Sequence, residues 1–161
     1  MVTIAEISAY LDEVFDPEIP VLTIRDLGML QHIHYESGNW QITIIPTYSG
    51  CPAMQQIEAD IRAKLHEKGI DNVQVSLVLS PAWTTDMISE EGRHKLQLYG
   101  IAPPVNEPDK SVLFAEAPVV PCPKCRSKET KMISLFGSTA CKAHYQCQSC
   151  LEPFDYFKCL K

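Results

Sequence analysis

The stretch Trp40–Gly69, WQITIIPTYSGCPAMQQIEADIRAKLHEKG, changes its hydrophobic period in the middle. Its front, WQITIIP, pairs in pattern with the preceding MLQHIHY (Met29–Tyr35), and Ser37-Gly38-Asn39 lies between them. Two β-type runs around such a turn predict a β-hairpin. From Pro52 onward Met54, Ile57, Ile61 and Leu65 fall on one helical face, and Gly69 closes the helix. A strand therefore hands over to a helix at Cys51, which follows Gly50 and precedes Pro52.

The same reading extends outward. Ile4, Ile7, Leu11, Val14 and Phe15 have helical spacing, and Asp16-Pro17-Glu18-Ile19-Pro20 is expected to stop that helix, because residues before proline avoid the α region. NVQVSLVLS (Asn72–Ser80) predicts a strand with Val73, Val75, Leu77 and Leu79 facing inward. TTDMISEEGRHKLQLYG (Thr84–Gly100) reads as a polar turn followed by a helix ending at Gly100. The expected front domain, residues 1–102, is thus α-β-β-α-β-α, a small two-layer α/β sandwich of the α+β class. Residues 103–120 start with three prolines in eleven positions, counted from Ile101, and read as a stiff linker. Residues 121–161 form a second module.

That second module holds six of the seven cysteines. Cys122-x2-Cys125 and Cys147-x2-Cys150 have the paired spacing of a zinc ribbon, in which each short knuckle turns two sulfurs onto one ion. Roughly forty residues build too small a core to fold unaided, so the metal is expected to supply much of the folding energy. Tetrahedral thiolate also suits iron. Cys141 and Cys159 read as buried apolar thiols or as an accessory thiol pair. His144 is surplus to a four-cysteine set.

Charge separates the two halves. Of the 14 Lys/Arg and 20 Asp/Glu, 7 and 3 lie from Cys122 onward, which leaves 7 and 17 before it. A net charge of −6 argues against general nucleic-acid binding. No apolar run reaches the roughly 20 residues of a bilayer-spanning helix. The opening MVTIAEISAYLDEVFD is acidic and amphipathic, unlike an export or transit signal, so a cytoplasmic location is expected. Seven cysteines in that setting predict metal or redox chemistry.

Cys51 is the thiol without a cysteine neighbour in sequence. With Pro52 as first helical residue, its position at the helix N-terminus predicts an exposed thiol of lowered pKa, suited to act as a nucleophile or soft-metal ligand. No hydrolase assembles around it: His32 and His34 share a strand face and read as solvated. Glu91 and His94 form a lone Glu-x-x-His, whereas a di-iron bundle needs two. No Gly-rich nucleotide loop is present.

DPEIPVLTIRDLGML (Asp16–Leu30), PTYSGCP (Pro46–Pro52) and the order of elements resemble the small iron–sulfur-assembly domain of SufT-like proteins, over about residues 1–102. Its motif residues correspond to Asp16, Glu18, Thr47 and Cys51, with Ile19 and Tyr48 where leucine and threonine are common. PAWTTDMISEEGRHKLQLYGIAPP (Pro81–Pro104) and FGSTACKAHYQCQSCLEPFDYFKC (Phe136–Cys159) are similar to the PaaD family of phenylacetate degradation over nearly the whole chain. Arg126 stands where a glycine often follows a knuckle cysteine. The resemblance implies a non-enzymatic maturation factor for the multicomponent phenylacetyl-CoA epoxidase, with structural zinc and a transient iron or iron–sulfur cluster as cargo. Its implied partners are the epoxidase components, above all the iron–sulfur flavin reductase subunit, and the iron–sulfur assembly machinery. The alternative is a structural or regulatory subunit of the oxygenase complex.

Overall fold

The computed structural model describes residues 1–105 and 117–158 of the 161-residue chain. It divides into two compact units: Met1–Trp83 with Met87–Ser89, and Thr84–Asp86 with the chain from Glu90 onward.

In the first unit, α1 (Ile4–Leu11) begins with a capping box. The Thr3 hydroxyl accepts from the Glu6 N–H, and the Glu6 carboxylate accepts from the Thr3 N–H at 2.8 Å. Such caps stabilise a helix by about 0.5–2 kcal/mol. The helix ends at Leu11 rather than at the proline loop, with Asp12 as C-cap. Val14 remains buried, but it does so in extended chain, where Phe15 bridges Thr23 in antiparallel fashion.

The hairpin forms as the sequence predicts. β1 (Leu30–Glu36) pairs with β2 (Asn39–Ile44), and the turn residues Ser37 and Gly38 both have positive φ, 51° and 84°. Two such residues make the type I′ turn that matches strand twist. α2 (Met54–Glu67) then crosses to β3 (Val73–Leu77), which lies parallel to β2 in a sheet of order β1-β2-β3. Met54, Ile57, Ile61 and Leu65 are its buried residues. Gly69 has φ 75°, and the Ile70 N–H donates to the Leu65 carbonyl, closing the helix in Schellman fashion. The core joins Ile7 and Leu11 of α1 to Ile42, Ile44, Ile57, Ile61 and Leu65.

β3 departs from expectation at its end. Val73 and Val75 are half-buried, but Leu77 and Leu79 are 50% and 65% exposed. Alternation identifies residues that share a face; it does not say how far the cover over that face extends. The loop from Thr23 to Met29 is closed reciprocally: the Thr23 N–H donates to Asp26 Oδ2, and the Asp26 N–H to the Thr23 hydroxyl, both at 3.0 Å. Gly28, at φ 67°, is required there, since a Cβ would come 2.5 Å from the Met87 carbonyl oxygen.

α3 (Glu90–Tyr99) ends before Gly100, as the sequence predicts, yet it belongs with the second unit and not with the first. It leads into β4 (Ile101–Ala102), which pairs in parallel with β7 (Pro153–Phe157). β5 (Thr130–Ser134) and β6 (Lys142–Cys147) complete an antiparallel ribbon, in the order β4-β7-β6-β5. Its core holds Ala102, Val120, Ala143, Tyr145, Phe154 and Tyr156 together with Cys122 and Cys147. Both ends of the expected linker are therefore built into this unit: Val105, near its start, packs against the core and Val120, at its end, belongs to it, as does Ala102 just before it. The rest of that stretch, 106–116, lies outside the described residues. Among the described residues no helix is long and apolar enough to cross a membrane.

Candidate metal and thiol sites

The second unit gathers four sulfurs. Cys122 precedes β5 in a turn where the Arg126 N–H donates to the Cys122 carbonyl and the Cys122 N–H donates to that of Ser127, both at 2.9 Å. Cys147 ends β6, and its N–H donates to the Glu152 carbonyl. The residue after each knuckle is left-handed: Arg126 at φ 66° and Leu151 at φ 64°. These parallel turns bring the sulfurs of Cys122, Cys125, Cys147 and Cys150 within 4.8 Å of one another. Cys122 Sγ lies 3.8 Å from Cys150 Sγ, and Cys125 Sγ 3.6 Å from Cys147 Sγ. A tetrahedron with metal–sulfur bonds of about 2.3 Å has edges of about 3.8 Å, so the four donors fit one such ion. Cys122 and Cys147 are buried, whereas Cys125 and Cys150 face solvent.

The sulfurs influence each other. The Cys150 N–H, donating to Cys147 Sγ at 3.5 Å, leads the effects that hold the Cys147 thiol down to about 6. Cys150 accepts from the Glu152 N–H, which lowers its pKa. Burial and the three neighbouring sulfurs outweigh that and push it up to about 12. Four thiols packed this closely cannot all ionise without a cation between them. Among the described residues no other set of three or more His, Cys, Asp or Glu side chains converges in this way.

Cys141 lies just before β6, at the opposite end of that strand from Cys147, and is buried with its sulfur 3.0 Å from the Thr139 hydroxyl. Cys159 lies outside the described residues. His144 faces Asp155, with 3.5 Å between Nδ1 and Oδ1, and not the sulfur cluster. Glu91 pairs with Lys95 on α3. His32 and His34 are exposed on β1.

In the first unit Cys51 ends a tight turn, with its N–H donating to the Tyr48 carbonyl at 3.2 Å and Gly50 at φ 79°. Sequence reasoning predicts an exposed thiol lowered by the helix end. The structure corrects both points. α2 starts at Met54 with Ala53 as N-cap, so Pro52 precedes the helix, and Cys51 is only 7% exposed. Burial pushes its thiol up. The Ala53 N–H and the Tyr48 side chain, donating to the sulfur, act the other way, while the Glu18 and Asp16 carboxylates add to the rise. Cys51, Glu18 and Asp16 thus stand within electrostatic reach, although more than thirty residues separate them in sequence.

Asp16 is buried and builds its own loop: Oδ1 accepts from the Glu18 N–H at 2.7 Å and from the Ile19 N–H at 2.9 Å. That arrangement fixes the chain direction that carries Glu18. Thr47 is buried just before the Cys51 turn. Tyr48, read in the sequence only as a departure from a motif, is a neighbour of the sulfur. Its place four residues from the end of β2 gave no sign of this.

A three-stranded α/β unit with a thiol among carboxylates, followed by a four-cysteine ribbon, defines a class: an iron–sulfur-assembly domain joined to a zinc-ribbon domain. Residues 4–77 match the family described as iron–sulfur cluster assembly protein, and residues 106–158 match the PaaD zinc beta ribbon domain. A crystal structure of a DUF59 domain from Bacillus anthracis superposes with a TM-score of 0.54 at 27% identity, covering 57% of this chain and 89% of that one. An "Fe-S protein maturation auxiliary factor" of Porphyromonas gingivalis (strain ATCC BAA-308 / W83) is 36% identical over 56% of this chain and 88% of its own. A protein of Escherichia coli (strain K12), named as a component of 1,2-phenylacetyl-CoA epoxidase, is 50% identical over 96% of this chain and 92% of its own. The chain belongs to the PaaD family that this protein represents.

Proposed function

We propose that the chain is a maturation factor for the iron–sulfur component of phenylacetyl-CoA epoxidase, and that it acts as a carrier and not as a catalyst. Iron or an iron–sulfur cluster is its cargo. The observation that carries this reading is that Cys51 lies within electrostatic reach of Glu18 and Asp16, beside the loop that Asp16 builds. Negative charge beside a thiol disfavours thiolate, and it favours a cation in the same place. At rest the sulfur keeps its proton. When iron binds, the S–H bond gives way to a sulfur–iron bond and the proton leaves to solvent. Soft sulfur suits iron–sulfur species, and a site with one thiol and few other ligands releases its cargo readily. Asp16 shapes the loop that carries Glu18, and Thr47 lies buried just before the turn that presents Cys51.

The second unit holds the client, the iron–sulfur flavin reductase component. Its four cysteines fit a structural zinc, which fixes both knuckles and supplies folding energy. The chain passes from one unit to the other between Trp83 and Glu90, so the unit that retains the client is tethered to the one that carries the cargo. Modest affinities then combine through effective concentration.

The test uses Cys51→Ala. The variant stays folded and still captures the client, but client from cells carrying it lacks iron and acid-labile sulfide. A client with full cluster content and full epoxidase activity in that strain would refute the carrier role. It would favour a second reading, a structural or regulatory subunit, which draws on the name of the E. coli relative as a part of the epoxidase.

A further inference from the structure

Arg126 and Leu151 break a local rule at equivalent places. Each directly follows the second cysteine of a knuckle, and each is left-handed, at φ 66° and 64°. That conformation crowds any L side chain, and glycine adopts it freely. Neither side chain recovers the cost within the unit. Leu151 is 67% exposed. Arg126 is also exposed, and its guanidinium has no hydrogen-bond or ion-pair partner among the described residues. The knuckle turns need this backbone conformation, but glycine would adopt it without crowding, so an arginine and a leucine in these places point to a functional demand.

The surroundings state what that demand is. Lys128 and Lys131 are exposed close behind Arg126. Of the nearby acids, Glu152 is paired with Lys124 at 2.8 Å, whereas Glu129 accepts from the Ser149 hydroxyl at 3.2 Å and keeps its charge. Arg126 therefore presents an unpaired cation beside an exposed leucine, with Lys128 and Lys131 exposed close behind it. The two tips are held together by the sulfur contacts and by a 2.8 Å hydrogen bond between the Ser127 and Ser149 hydroxyls, so little ordering is lost on binding.

We propose that Arg126 and Leu151 are the anchors of a docking surface on the metal knuckles. Its occupant is a partner protein whose surface sets carboxylates beside an apolar pocket. The inference rests on the reading of the second unit as the client-holding unit, and it names the residues and the chemistry of that contact.

The test measures full-length, zinc-loaded chain against the purified flavin and iron–sulfur reductase component of phenylacetyl-CoA epoxidase, at low and high salt. Arg126→Gly and Leu151→Gly retain stoichiometric metal. Their Tm is held or raised by about 2–4 °C, as relief of backbone crowding requires. The double variant binds the reductase about tenfold or more weakly. The Arg126→Gly effect fades at high salt, where screening already weakens the charge contact, and the Leu151→Gly effect persists. Arg126→Asn and Leu151→Asn, which tolerate the left-handed backbone, replace any glycine variant that loses metal. A double variant that binds within twofold of the parent overturns the surface alone, if Cys125→Ser still abolishes binding. A parent chain that ignores the reductase overturns the client reading and the surface with it. So does one that captures nucleic acid instead and loses it in Arg126→Gly.

Discussion

The two units close a small sheet with different materials. The first lays α1 and α2 over three strands and buries a continuous set of Ile and Leu side chains. The second has fewer apolar residues and counts two of its metal cysteines, Cys122 and Cys147, among its core. One unit is thus closed by packing, and the other by packing around four sulfurs that fit a metal ion. The cysteines follow the same division. Four of those in the ribbon converge on one point, whereas Cys51 lies buried in a turn of the first unit.

Metal removal is the sharpest way to break this comparison, and it has the largest expected effect. Structural zinc contributes about 10–16 kcal/mol of apparent binding energy in small domains. Cys125→Ser tests it cleanly, because Cys125 is exposed and its loss removes no packing. Hydrogen exchange should show β6 and β7 losing protection while β2 and α2 keep theirs, with metal content falling in parallel. Protected β6 amides in metal-free protein would show that the apolar core suffices.

The converse change is smaller. Ile42 is fully buried at the centre of β2. Ile42→Ala should destabilise the first unit by about 2–5 kcal/mol, from lost burial plus a cavity. Denaturation followed by Trp40 fluorescence would report it, and the metal content of the second unit should not change. Loss of zinc in this variant would mean that the units do not fold as separately as their cores imply.

Parts of this division were legible in the sequence, and the reason differs from part to part. The Ser37-Gly38 turn, the buried face of α2 and the two Cys-x2-Cys knuckles are local, so spacing alone carries them. The early end of α1, the exposure of Leu77 and Leu79, and the place of α3 in the second unit depend on what packs against each segment. Periodicity is silent on that. The Cys51 site falls between these cases. Its residue types were visible, but its burial and the electrostatic reach between Cys51 and Glu18 come from a loop turned back by Asp16 through bonds to two backbone N–H groups.

The smallest expected effect concerns the uncommitted thiol. Burial, Glu18 and Asp16 raise its pKa, so alkylation of Cys51 should need a pH above the ordinary thiol value of about 8.5. The linkage has a definite sign. The folded chain holds this proton more tightly than the unfolded chain. The resulting stability is complete below the unfolded pKa and is lost as pH rises through the folded one. Glu18→Gln removes one negative neighbour and should move the alkylation midpoint down. If thiolate supply alone governed metal binding, the same variant would bind ferrous iron more tightly at pH 7. If the carboxylate attracts the cation, as the carrier reading requires, it should bind iron a few-fold more weakly although its thiol is more acidic. Measuring both on one variant separates the two accounts, because they differ in sign. Tighter iron binding by Glu18→Gln would reduce the site to an ordinary buried cysteine near a carboxylate.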